Sequence, residues 1–147
     1  MTQTSSFDLE TARRLLADVF APWVQDLGLS VERIDTGATD AGVAGAVMRM
    51  AFSEKLCREG GVVCGQALMA LADTAMVFAV SAAANGYRPM TTVDQTTHFL
   101  KPAAATDIVA DARIVRQGRT MSFGRVTLSA ATDGKPVAMV SSAYALL

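Results

Sequence analysis

One carboxylate interrupts the most apolar stretch of the chain. The segment "GGVVCGQALMALADTAMVFA", Gly60 to Ala79, carries Asp73 in its second half and Cys64-Gly65-Gln66 at its front. An ionised carboxylate removed from water costs several kcal/mol unless donors or charges compensate it. Asp73 therefore reads as a general base, a nucleophile, or a carboxylate held by structural hydrogen bonds. Gly65 offers a different chemistry. With no Cβ at a helix start, it lets a ligand approach the free N–H groups of the first turn, where the helix dipole favours negative charge. Such donors stabilise an oxyanion as it develops, and losing one is worth about 3–4 kcal/mol. Gln66 lies seven residues before Asp73, two turns away on the same helix face. It either places water or substrate or is an ordinary polar residue at a helix start. Cys64 presents a rival reading, because a thiol at a helix N-terminus can be a nucleophile. Paired with His98, the single histidine, it would make a Cys-His enzyme, and Asp73 would then have no role. His98 shares a strand face with Asp94, Thr96 and Leu100, and a strand rise of about 3.3 Å puts Asp94 roughly 13 Å away. That reads as a structural or rim histidine, and Cys57 as an inert small residue.

The elements that must position these groups follow from periodicity. Residues 8–25 place Leu9, Ala12, Leu15, Leu16 and Phe20 at helical spacing, with Asp8 as the cap and Pro22 ending or bending the helix. Residues 29–52 read as a hairpin around "TGATDAG", with Ala44, Ala46, Met48, Met50 and Phe52 on one face of its second strand. Residues 53–63 read as an irregular approach to the next element. From Gln66 to about Ala84 the chain is apolar on nearly every side, the pattern of a helix surrounded by protein. Four strand-like segments follow, at residues 91–100, 107–116, 120–131 and 136–146, with turn chemistry at Gly118 and Asp133-Gly134. One long apolar helix among antiparallel strands predicts an α+β domain in which a sheet wraps the central helix. Exposed sheet edges favour a homo-oligomer with joined sheets.

Bulk properties narrow the function classes. The 147 residues fit one domain, 51% are hydrophobic and 18% charged, and the net charge is -1. This globular composition has no basic stripe interleaved with aromatics, so no nucleic-acid partner is expected. Gln66, Asp73 and Thr74 within residues 62–84 favour a buried helix over a membrane span. Two cysteines and one histidine predict neither a disulfide framework nor a structural metal. With no secretory pattern at the N-terminus, the cytoplasm is the expected compartment.

Four ordered motifs carry a family likeness. "GQALMALADTAM", "TTVDQTTHFLKPA", "ARIVRQGRTMSFGRVTL" and "DGKPVAMVSSAY" together resemble the PaaI-type acyl-CoA thioesterases of the hotdog-fold superfamily, over about residues 43–147. The resemblance implies a hotdog fold, a homodimer or homotetramer, hydrolysis of an acyl-CoA thioester, and no metal or redox cofactor. The family's helix start is usually His-Gly-Gly with an acid eight positions after the first Gly; here Gly65 and Asp73 keep that spacing. Cys64 stands in place of the His, Gln66 in place of the second Gly, and Arg58 where Asn or Gln is usual. Thr92 occupies the position of a hydroxyl residue that lies near the acid in these enzymes. Arg88, Lys101, Arg116 and Arg119 become candidates for CoA phosphates, Lys101-Pro102 matching the family's basic residue before Pro. A non-catalytic hotdog module that binds acyl-CoA or serves in assembly is the alternative. Eight residues of straight helix span about 12 Å, so one thioester cannot easily touch both Gly65 and Asp73. A second helix packed antiparallel across a two-fold axis would bring Asp73 of one chain to Gly65 of the other, which is the composite site the resemblance implies.

Overall fold

A computed structural model describes residues 6–37 and 43–147 of the chain. Its first helix, α1 (Leu9–Val19), starts where the sequence places it, with the Thr11 N–H donating to Asp8 Oδ1 at 2.8 Å. The helix expected over 8–25, ended or bent at Pro22, is two helices that meet there. The backbone turns extended at Phe20, and Pro22 opens α2 (Pro22–Gln25), a position where a missing N–H costs nothing. The Gln25 side-chain amide donates to the Leu16 carbonyl and, at 3.4 Å, to that of Ala17. This folds α2 back against the end of α1.

Strands β1 (Leu29–Asp35) and β2 (Gly45–Met50) pair antiparallel as expected. Residues 38–42 of the turn "TGATDAG" lie outside the described residues. Ala46, Met48 and Met50 are buried, but so is Val47, while Phe52 lies beyond the strand and is exposed. The simple alternation over 44–52 therefore fails at those two positions. Residues 53–63 are more regular than expected. A 3₁₀ turn (Glu54–Leu56) leads into a small hairpin of β3 (Cys57–Arg58) and β4 (Val62–Val63). Its turn holds Gly60 and Gly61 at φ of 90° and 75°, a region that glycine enters without a Cβ penalty. The Cys64 N–H donates to the Leu56 carbonyl and the Val63 N–H to that of Ala103, both at 2.8 Å. These bonds fix where the next helix begins.

That helix is α3 (Gly65–Ala83), followed by β5 (Met90–Phe99), β6 (Ile108–Gln117), β7 (Met121–Ala130) and β8 (Pro136–Leu146). The six long strands form one antiparallel sheet in the order β1-β2-β6-β7-β8-β5, which wraps α3. Leu71, Ala72, Ala75, Met76, Phe78 and Ala79 of α3 are fully buried against it. Two buried hydroxyls on the helix are satisfied locally, Thr74 on the Ala70 carbonyl and Ser81 on that of Val77, each at 2.8 Å. By length and composition α3 could cross a bilayer, but 67% of that span is buried within this chain.

The burial of α3 has one exception. Gln66 and Met69 are exposed and Ala70, Asp73 and Val77 only partly covered, a stripe at helical spacing. The expectation of protein on nearly every side gives way to a helix covered everywhere except along the face that carries Asp73.

Helix and sheet meet closely at Gly124 of β7. A Cβ there would stand 2.5 Å from Met76 Sδ and 2.9 Å from the Arg113 carbonyl oxygen. Gly124→Ala is expected to lower unfolding stability by about 1–3 kcal/mol through overpacking, read as a reduced urea midpoint at unchanged m-value.

Candidate active site

Asp73 projects from the uncovered stripe of α3 towards the inner faces of β5 and β8. Thr92 Oγ1 donates to Asp73 Oδ1 at 2.8 Å, and the Tyr144 phenol donates to the same oxygen. The phenol oxygen also lies 3.0 Å from the Asp73 main-chain carbonyl. Thr92 and Tyr144 are direct register partners across β5 and β8. Tyr144 is 1% exposed, and its burial, followed by the neighbouring Asp73 charge, pushes the phenol far above its ordinary range. It stays a protonated donor.

A β-bulge places Thr92. The β5–β8 register shifts between Thr92 and Asp94, with Val93 as the extra residue. Beyond it, Gln95, Thr97 and Phe99 pair with the inward-facing Ser142, Val140 and Ala138, while Asp94, Thr96 and His98 pair with Ala143, Ser141 and Met139. On an unbroken strand Thr92 would share the outer face of Asp94 and His98. The extra residue turns it inward. His98 faces outward beside the half-exposed Met139, away from the face of β5 that meets α3. The structure does not bring it to Cys64.

Asp73 and Gly65 open into different cavities. One, of about 350 Å³, is lined by Asp73, Thr92, Gln66, Gln95, Met69 and Trp23. The other, of about 420 Å³, contains Gly65, Arg58, Lys101, Phe99 and Leu100 among its walls. Among the described residues no acceptor meets the N–H groups of Gly65, Gln66 or Ala67, and Cys64 offers the helix no side-chain cap. The Phe99 ring lies 3.1 Å from where a Gly65 Cβ would be, so the bare glycine lets an aromatic ring sit at the helix start. Lys101 Nζ stands 3.5 Å from Asp133 on the surface. Arg88 and Arg119 belong elsewhere. The Arg88 guanidinium donates to the Arg119 and Leu147 carbonyls at 3.4 Å, near the start of β5, while Arg58 and Lys101 lie at its far end. Arg116, on β6, sits opposite Phe123 and lines neither cavity.

Sequence reading does not single out Tyr144, Trp23, Met69, Gln95 or Phe99. The one available signal is chemical: a tyrosine in an apolar terminal strand needs a partner for its hydroxyl. Nothing local says that the partner is Asp73.

A family comparison adds to this geometry. The model of the Thioesterase superfamily matches residues 60–137, more than half of the chain. The chain belongs to the thioesterase superfamily. Membership makes its chemistry thioester hydrolysis in broad terms. Zebrafish thioesterase superfamily member 2 is 24% identical, with a TM-score of 0.80 over 97% of this chain and 100% of that one. The PaaI protein from the phenylacetic acid degradation operon of Escherichia coli is 21% identical, with a TM-score of 0.76 over 95% and 96%. A mutant of the phenylacetic acid degradation protein PaaI from Thermus thermophilus is 24% identical, with a TM-score of 0.72 over 86% and 100%. These likenesses establish the hotdog fold for this thioesterase-superfamily chain, and no curated protein matches it.

The buried phenol gives a spectroscopic expectation. In an alkaline ultraviolet difference titration, Tyr144 of the folded protein stays un-ionised past the ordinary phenol range of about 10. Because the Asp73 charge is one cause of that shift, Asp73→Asn brings the Tyr144 transition to lower pH.

Proposed function

We propose that this chain hydrolyses an acyl-CoA thioester to the free acid and CoA, as one hotdog domain in a homo-oligomer whose sites lie between subunits. The observation that carries the reading is a division of labour. Asp73 is a braced carboxylate in one cavity, and the unpaired first-turn amides at Gly65 border another. About 12 Å of helix separates them, so a single thioester meets both only when a second chain contributes one half. Two features favour that assembly. β5 is a ten-residue edge strand of the sheet, and edges of that length pair with other chains unless protected. The apolar surface left open beside it includes Trp23, Met69, Val93, Phe99 and Leu100, each at least 40% exposed in the isolated chain.

In this reading the acyl carbonyl oxygen points at the Gly65 amide, and Asp73 drives attack on the carbonyl carbon as base or nucleophile. By the basic route, water gives its proton to Asp73 as its oxygen bonds carbon. The oxyanion then collapses, the C–S bond breaks, and the proton passes to the CoA thiolate. Gln66, on the same stripe and in the same cavity as Asp73, positions water or the acyl group. Cys64 and Arg58 vary the family pattern beside Gly65 and shape acyl preference. Arg58 and Lys101, in the Gly65 cavity, are the basic groups best placed to meet CoA phosphates. Arg88 and Arg119, at the other end of β5, are a second set. Free cysteines at 57 and 64 suit the cytoplasm.

A release assay for free CoA over aromatic and aliphatic acyl-CoAs tests the activity. Asp73→Asn is expected to lower kcat by about 100-fold or more; wild-type turnover in that variant overturns the assignment of Asp73.

The composite site has its own test. Gly65 is the first residue of α3 and Cys64 before it is extended at φ -70° and ψ 151°, a geometry that accepts proline. Gly65→Pro removes the Gly65 N–H and also sets a Cβ 3.1 Å from the Phe99 ring. The expected loss is about 100-fold or more. Gly65→Ala, which adds the Cβ but keeps the N–H, does not reproduce it, and that difference assigns the loss to the amide. Mixing Gly65→Pro with Asp73→Asn should restore part of the activity through heterodimers. No recovery after verified subunit exchange counts against sites between subunits.

A further inference from the structure

The Asp73 carboxylate is held on one side only. Both protein donors, Thr92 Oγ1 and the Tyr144 phenol, converge on Oδ1. Oδ2 receives none among the described residues, and it is absent from the buried side-chain oxygens that lack a partner. It therefore faces accessible space on the cavity that Asp73 lines. A phenol has one proton, and of the two acceptors within reach the carboxylate makes the stronger bond. Because the same hydroxyl touches the main-chain oxygen and Oδ1 of one residue, it fixes the torsion between them. A phenylalanine would fill the buried ring site equally well. The hydroxyl is a desolvation cost that its bond to Asp73 repays.

We propose that Tyr144 is a positioning residue which, together with Thr92, fixes Asp73 Oδ1 and so makes Oδ2 the oxygen that takes the proton from the attacking water. The proposal rests on the hydrolytic reading above and deepens it. In the step, the water O–H bond breaks and its proton bonds Oδ2. The water oxygen bonds the thioester carbon, and the C=O pair moves to the carbonyl oxygen facing the helix amides. When that pair returns, the C–S bond breaks and the proton leaves Oδ2 for the thiolate sulfur. Two donors on Oδ1 stop the carboxylate from rotating and exchanging its oxygens between turnovers.

The test is Tyr144→Phe, made alongside Thr92→Val and Thr92→Ser, with kcat and KM measured separately and folding checked by circular dichroism and thermal melting. Loss of one hydrogen bond to a charged group predicts a kcat lower by about 10-fold or more with KM within about two-fold for Tyr144→Phe and Thr92→Val. Thr92→Ser, which keeps a hydroxyl, stays near wild type. A folded Tyr144→Phe with wild-type kcat, beside an inactive Asp73→Asn, overturns the positioning role and leaves the hydrolytic reading standing. A wild-type protein that turns over no acyl-CoA overturns both. Should Tyr144→Phe not fold, 3-fluorotyrosine at position 144 supplies the measurement. Its ¹⁹F resonance must move on Asp73→Asn, and an unmoved resonance overturns the proposal.

Discussion

A charged carboxylate on an apolar helix needs donors or water within reach, and the arrangement around α3 supplies both. The sheet and the N-terminal layer together cover the helix on every side but one, and Asp73 stands on the uncovered stripe with Gln66 and Met69. Two hydroxyls from the closing strands, Thr92 and Tyr144, reach one carboxylate oxygen, while the other is left towards open space. Full coverage would strand a charge in low dielectric; none would deprive it of fixed donors. Both strands whose side chains touch it, β5 and β8, are neighbours at one margin of the sheet.

The rest of the molecule holds that margin in place. Phe20 stacks on Phe78 of α3 at 5.6 Å, and the Phe7 N–H donates to Asn85 just past the helix end at 3.1 Å. The N-terminal layer is thus tied to the central helix at its C-terminal half. Gln25 clamps α2 onto α1, and that clamp sets Trp23 as a wall of the Asp73 cavity. At the other end, the small hairpin before α3 is bonded to Ala103 and Leu56, which holds Gly65 against Phe99.

Much of this organisation is written in local sequence. The Asp8 cap, the long apolar helix and the four later strands follow from spacing and turn residues, because each depends on near neighbours along the chain. Asp73 stands out for the same reason: a carboxylate among alanines and leucines contradicts its surroundings. Gly65 is readable as a bare glycine at a helix start, and its spacing from Asp73 in a known family pattern singles it out further. The break between α1 and α2 is announced by Pro22 and closed by Gln25 from within ten residues. Two features depend on distant chain and are not legible: the open stripe of α3 is set by where the sheet stops, and the Tyr144 contact by pairing across 71 residues. Val47 is a milder case. Its alternation marks it as outward, but it is buried all the same.

The bulge at Val93 has an evolutionary consequence. That residue points out of the ladder and is 59% exposed, so the phase of the strand depends on its presence and not on its side chain. It sets the odd-even phase that turns Thr92 inward while leaving Gln95, Thr97 and Phe99 inward as well. Substitutions along this edge can accumulate one at a time, whereas inserting or deleting a single residue between Thr92 and Phe99 would exchange inner and outer faces over part of the strand. The outward positions of the edge are freer in composition than in length, so divergence among relatives there should appear as changed letters in an unchanged count.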